Sequence, residues 1–143
     1  MIHIRLGEPQ DRNALFDVDL VAHKEQGRRD FIINAINDKT CYVAELDKLV
    51  VGYGVLTYTF YHCGFVDMLY VHKDFRRRGV GTALMNHLEA ICRTGKLFTS
   101  TNLSNLAMQS LLTKLGYVVS GVIHNLDEGD PEIVYLKRRR GSG

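Results

Sequence analysis

Long apolar runs are missing from this chain. No stretch of some 18 apolar residues occurs, so no helix is expected to span a bilayer. The opening residues, MIHIRLGEPQDR, lack the basic-then-apolar layout of a secretory leader, and both absences predict a cytoplasmic protein with no membrane partner. Cysteine is sparse: Cys41, Cys63 and Cys92 are odd in number, widely spaced and set in apolar segments. That excludes a disulfide framework and a zinc cluster and predicts core thiols. No metal site is expected, because His62, His72 and His124 make no pair at metal-ligand spacing. Charge of one sign is also lacking. A net charge of +2 argues against a nucleic-acid partner, although basic residues bunch at 76–78 and 137–140. There is no internal repeat and no low-complexity segment.

What is present has the composition of a folded domain. With 45% hydrophobic and 24% charged residues the chain lies far from the disordered regime, and 143 residues suit one core. The expected organisation is a single domain over 1–140, followed by a Gly-Ser-Gly tail at 141–143 that is either native or left by cloning.

The stretch 65–85, FVDMLYVHKDFRRRGVGTALM, organises the rest. An apolar run of strand length stops at a polar turn, which leads through RRRGVG into a helical repeat of apolar residues. A glycine turn opening a helix points backbone N–H groups outward at the positive end of the helix dipole, here beside Arg76, Arg77 and Arg78, and that pattern suits phosphate. The nucleoside-triphosphate loop G-x-x-x-x-G-K-[ST] is absent, and G-x-G-x-x-G fails because Leu84 stands where a third glycine belongs.

Upstream, alternation at Ile2, Ile4 and Leu6 predicts a strand. Helices are expected from Pro9 to about Ala22 and again after Gly27, ending at Asp38-Lys39. Runs at 40–46 and 49–58 around Asp47-Lys48 predict a hairpin, and Gly52 and Gly54 suggest a bulge or a close backbone approach. Tyr61 to Gly64 turns into the central strand. Downstream come a helix through Leu88 and Ile91, a strand at 97–101, a helix capped by Asn102 and Ser104 and closed by Gly116, and strands at 117–123 and 133–137 joined by an acidic loop at 125–132. A strand, helix, strand unit of this length implies parallel pairing.

The order β-α-α-β-β-β-α-β-α-β-β and the motif R-x-x-G-x-G from Arg76 to Gly81 resemble the GNAT superfamily of acetyl-CoA-dependent N-acetyltransferases. A second motif of that family, N-x-x-A-x-x-L-Y-x-K-x-G-[FY], is matched at Asn105, Leu111, Lys114, Gly116 and Tyr117 but not at Met108 or Leu112. The resemblance covers essentially the whole chain. It implies an α/β GNAT fold: a mixed, mostly antiparallel sheet with a central parallel β-α-β unit and splayed central strands.

It also implies a site. Acetyl-CoA enters as co-substrate, its pantetheine arm pairing with the backbone of Leu69 and Val71 as an added strand. Its pyrophosphate is held by Arg76, Arg77, Arg78, Gly79, Val80 and Gly81 with the Thr82 hydroxyl beside them, and Asn105 joins the cofactor-binding set. A backbone N–H near Leu69 or Tyr70 is the oxyanion donor, and Asp67, or a water on it, is the base. The family's tyrosine proton donor falls at Leu112, which has no proton to give, so solvent, Tyr70 or Tyr117 takes that role or activity is weak. The acceptor is a primary amine of a small molecule or peptide. The alternatives are a macromolecular acceptor (a protein N-terminus, lysine or aminoacyl-tRNA) or a non-catalytic acyl-CoA-binding domain. Tyr53, Tyr58, Phe60 and Tyr61 form an aromatic patch near the acceptor, the acidic loop suits a cationic amine, and a homodimer through the last strands stays open.

Overall fold

A computed structural model of the chain describes residues 1–139, so Arg140 and the Gly-Ser-Gly tail lie outside the described residues. Seven strands, β1 (Ile2–Leu6), β2 (Cys41–Leu46), β3 (Leu49–Phe60), β4 (Cys63–Val71), β5 (Lys96–Asn102), β6 (Val118–Ile123) and β7 (Glu132–Arg138), hydrogen-bond in the order β1-β2-β3-β4-β5-β7-β6. Four helices accompany them: α1 (Arg12–Val18), α2 (Gln26–Asn37), α3 (Val80–Ile91) and α4 (Leu106–Lys114). Two compact units result, one of Met1–Leu56 with Met68–Ala90 and one of Thr57–Asp67 with the chain from Ile91 onward, and β3 and β4 run through both.

In the first unit β1 and β2 pair antiparallel, as do β2 and β3. The β2–β3 turn places Asp47 and Lys48 at φ +51° and +72°, and the β3–β4 turn places Tyr61 and His62 at +51° and +63°. Two consecutive positive φ angles match the right-handed twist of strands joined by two residues. At Gly52 the expected alternatives, a bulge or a close backbone approach, occur together. The register slips between Ala44 and Glu45, and a Cβ on Gly52 would stand 2.8 Å from the Tyr70 carbonyl oxygen. One apolar cluster joins Leu15, Ile32, Ile36, Val43 and Tyr53; another joins Ala44, Val51, Val80 and Leu84.

The helical readings of the first third need correction. Pro9–Asp11 is a single 3-10 turn and α1 ends at Val18, not near Ala22, because Asp19 adopts extended backbone (φ −95°, ψ 105°). Its carboxylate is completely buried and takes its bonds from elsewhere in the unit. Gly27 lies within the first turn of α2 instead of preceding it, with open space around its α-carbon.

The second unit holds the parallel pairing. β4 and β5 pair from Gly64↔Leu97 to Val66↔Thr99, and β5 pairs antiparallel with β7 over its whole length. A Cβ on Gly64 would lie 2.4 Å from Cys92 Sγ, so any larger residue there would force the Cys92 side chain or the strand to shift. The cap of α4 is Asn105, whose Oδ1 accepts from Met108 N at 3.1 Å, rather than Asn102 or Ser104. Those two residues tie down the 125–132 loop: Asn102 Nδ2 donates to Asp127 at 2.8 Å and Ser104 Oγ donates to Asp130 at 2.6 Å. At its other end α4 closes as expected, with Gly116 at φ +93°, Gly116 N donating to Thr113 O and Tyr117 N to Leu112 O.

Candidate functional site

The end of β4 is fixed before the turn begins. His72 N donates to Val51 O at 2.7 Å, and His72 Nδ1 accepts from Asp74 N at 3.0 Å, capping the 3-10 turn Lys73–Phe75. His72 is thus a capping group. Arg77 (φ +63°) and Gly79 (φ +84°) then reverse the chain. Gly79 meets almost nothing: the nearest atom to an added Cβ is Ile2 Cδ1 at 4.0 Å. Val80 plugs the helix start into the core at 1% exposure, while Arg76 to Gly79 all face solvent. The first intrahelical bond of the region runs from Ala83 N to Gly79 O at 3.0 Å, which leaves the preceding N–H groups of Val80, Gly81 and Thr82 at the positive end of a 12-residue helix.

Two of the three arginines fold back. Arg76 Nε donates to Val71 O at 3.0 Å with its guanidinium 5.6 Å from the Tyr70 ring, and the Arg78 guanidinium lies 5.2 Å from the Phe75 ring. Arg77 has no partner among the described residues and points its charge to solvent. An exposed cationic turn with free N–H groups is chemically fitted to a diphosphate.

On β4, Leu69 and Val71 pack against the Val80–Leu84 cluster, so their side chains are anchored while their backbone lies beyond the three-pair ladder to β5. Tyr70 packs against the cluster of α1 and α2; its hydroxyl accepts from Leu20 N at 3.3 Å, and its ring stacks on Tyr53 at 6.4 Å. At the ladder's end, Thr99 Oγ1 donates to Val66 O at 3.0 Å. Asp67 follows immediately. Its Oδ1 accepts from Thr57 Oγ1 at 2.9 Å, and desolvation of the carboxyl lifts its pKa above the ordinary value while that hydrogen bond pulls the other way.

The remaining candidates sort by burial. Leu112, at the family's tyrosine position, is fully buried, and Tyr117 is a core residue under Lys137 Nζ at 5.6 Å. The aromatic patch is dispersed. Tyr53 is completely buried, the Tyr58 hydroxyl accepts from Arg93 N at 3.1 Å, Phe60 stacks among Phe65 and Phe98, and only Tyr61 is open to solvent. Three of the acidic-loop carboxylates are committed locally: Asp127 and Asp130 as described, and Glu132 accepting from Ser100 Oγ at 2.6 Å. They act as loop ties.

One cluster escaped the sequence reading. Asp19 Oδ2 accepts from Arg28 Nη1 at 2.6 Å and from Tyr53 OH at 2.6 Å, and burial followed by the Asp19 bond pushes the Tyr53 phenol well up. The available signal was an aspartate inside the apolar run VDLVA, a place where a carboxylate is rarely tolerated without partners.

Known proteins resolve what class of fold and site this is. Residues 11–117 match the model of the acetyltransferase (GNAT) family, so the chain belongs to that family and is an N-acetyltransferase, an acyltransferase. It is 26% identical to an uncharacterized N-acetyltransferase of Methanocaldococcus jannaschii, over 95% of this chain and 91% of that one. A GNAT-family acetyltransferase structure from Bacillus cereus ATCC 10987 superposes with a TM-score of 0.91 at 29% identity, covering 97% of this chain and 98% of that one. The ribosomal-protein-S18-alanine N-acetyltransferase of Escherichia coli shares the fold with a TM-score of 0.82 at 18% identity, over 100% of this chain and 97% of that one. Among the described residues no helix is long and apolar enough to cross a membrane.

Proposed function

We propose that this protein transfers the acetyl group of acetyl-CoA directly to a primary amine of a small molecule or peptide. The observation that carries the reading is the exposed turn Arg76–Gly79 at the N-terminus of α3, directly after a strand whose ladder to its parallel neighbour ends three pairs in. Acetyl-CoA supplies an activated thioester acyl group. The N–H groups of residues 76–81, with Arg77 and the Thr82 hydroxyl, hold the diphosphate, and the backbone of Leu69 and Val71 receives the pantetheine arm. Val71 O keeps a second lone pair beside the Arg76 bond. Asn105 enters on the resemblance alone, its Oδ1 already committed to Met108 N.

In the transfer a C–N bond forms and a C–S bond breaks. The amine loses one proton to Asp67 or a water on it, and the departing thiolate gains one. A raised pKa suits Asp67 to that task, since a base closer to neutrality holds the proton it takes more firmly. The N–H of Leu69 or Tyr70 faces the charge developing on the acyl oxygen, and one such donor is worth about a hundred- to a thousandfold in rate. Leu112 is buried and carries no proton, so the Tyr70 hydroxyl or solvent protonates the thiolate.

The test is release of free CoA when purified protein, acetyl-CoA and a panel of primary amines are mixed. Amine-dependent release supports the reading. Binding of acetyl-CoA with no release for any amine would point instead to an acyl-CoA-binding domain.

A further inference from the structure

Asp19, just after α1, and Arg28 of α2 form a part-buried ion pair that acetyl transfer does not require. Asp19 is fully buried and already accepts from Tyr53 OH at 2.6 Å and, through Oδ1, from Val21 N at 3.0 Å. Arg28 is therefore a further donor to a carboxylate with neutral partners. Burying a guanidinium carries a desolvation penalty that well-packed apolar residues would avoid, so stability alone is a weak reason to keep it there.

The donors that Arg28 leaves over are more informative. Its Nη1 faces Asp19 and lies 3.8 Å from Met68 Sδ, and the guanidinium also interacts with the Tyr53 hydroxyl, whereas no carboxylate or carbonyl among the described residues takes Nε or Nη2. The side chain stays 22% exposed. Nε and Nη2 form the edge of the guanidinium that grips a carboxylate through two parallel N–H···O bonds, while Asp19 fixes the plane from the other side. Met68 belongs to β4, and with Tyr70 it packs against the cluster that contains Tyr53. The guanidinium thus lies, through Nη1, beside the strand on which the acyl group is proposed to lie.

We propose that Arg28 recognises a carboxylate on the acceptor, which makes the acceptor a small aminocarboxylate such as an amino acid rather than a simple alkylamine or a polyamine. This rests on the acetyl-transfer reading above. Asp19 and Tyr53 act as positioning residues. They hold the guanidinium plane so that the bound carboxylate keeps the amine at a set distance from β4.

The experiment is steady-state kinetics with acetyl-CoA and matched pairs of acceptors, amino acids against their carboxamides, for the wild type, Arg28→Gln and Arg28→Lys. The wild type is expected to favour the acid over the amide by about ten- to a hundredfold in kcat/KM, the range of hydrogen bonds to a charged group. Both variants should bring that ratio toward one, mainly through KM of the acid. Arg28→Lys keeps a cation against Asp19 and so covers the case in which Arg28→Gln fails to fold. Equal turnover of acid and amide by the wild type, an unchanged ratio in Arg28→Lys, or turnover of cationic or neutral amines alone would each overturn the inference. So would acetyl-CoA binding with no turnover of any aminocarboxylate. Absence of acetyl-CoA binding is a separate result that removes the acetyl-transfer reading and this inference with it.

Discussion

At the scale of single residues, Asp67 and Asp11 carry opposite electrostatics. Partial desolvation raises the Asp67 pKa although the residue is exposed, so the fold only mildly disfavours its charge above the ordinary carboxylate range. Asp67→Asn should therefore leave stability at neutral pH unchanged or slightly higher, while kcat/KM falls by about 10²–10⁴, the usual worth of a general base. Denaturant melts beside acetyl-transfer kinetics check both halves, and a variant that loses stability and keeps activity would make Asp67 a structural residue. Asp11 is the reverse case. The Arg5 hydrogen bonds, at 2.8 Å from Nη1 and Nη2, hold its carboxyl below the ordinary value. Its contribution is complete above the unfolded pKa of about 3.9 and fades as pH falls through the lower folded value. Asp11→Asn should thus cost about 1–3 kcal/mol at pH 7, and the gap to wild type should narrow as the pH is taken below the ordinary carboxylate range, as urea melts across that range would show. Cys41 illustrates a reading made correctly from its surroundings: burial pushes the thiol up to about 12, so it stays protonated and inert in the core.

At the scale of elements, close backbone approach decides what the strands tolerate. Gly52→Ala would set a Cβ 2.8 Å from Tyr70 O, a main-chain atom of β4 that cannot swing aside. We expect a loss of about 1–3 kcal/mol in chemical denaturation, typical of overpacking, and a neutral result would mean that β3 and β4 can part to admit a methyl group. The glycines, the alternating strands and the R-x-x-G-x-G turn were legible because each is a local pattern with a local cause. Helix limits were less so. The apolar spacing of 14–22 continues past Val18, but Asp19 breaks the helix by burying its carboxylate against Arg28 and Tyr53. Asn102 and Ser104 have the residue types of caps, but their side chains are spent on a loop some 25 residues away.

At the scale of the whole molecule, the order of elements and the family could be read from sequence because the two motifs sit at the strand-helix and helix-strand junctions that define the fold. The Asp19 cluster could not. Its members lie 9 and 34 residues from Asp19, and no periodicity links them. Ligand binding offers a test at this scale, since a co-substrate that binds only the folded chain at 100 times its Kd adds about 2.7 kcal/mol of stability. Scanning calorimetry should then show the melting temperature rising by about 5–10 °C with acetyl-CoA.

The central claim is that the turn 76–81 seats acetyl-CoA, and calorimetric titration of the purified protein with acetyl-CoA beside Gly81→Glu tests it most directly. The account predicts saturable binding by the wild type and its loss in a variant that remains folded, because a carboxylate would occupy the place of the phosphate and repel it. Equal binding by both proteins, or none by the wild type, would contradict it.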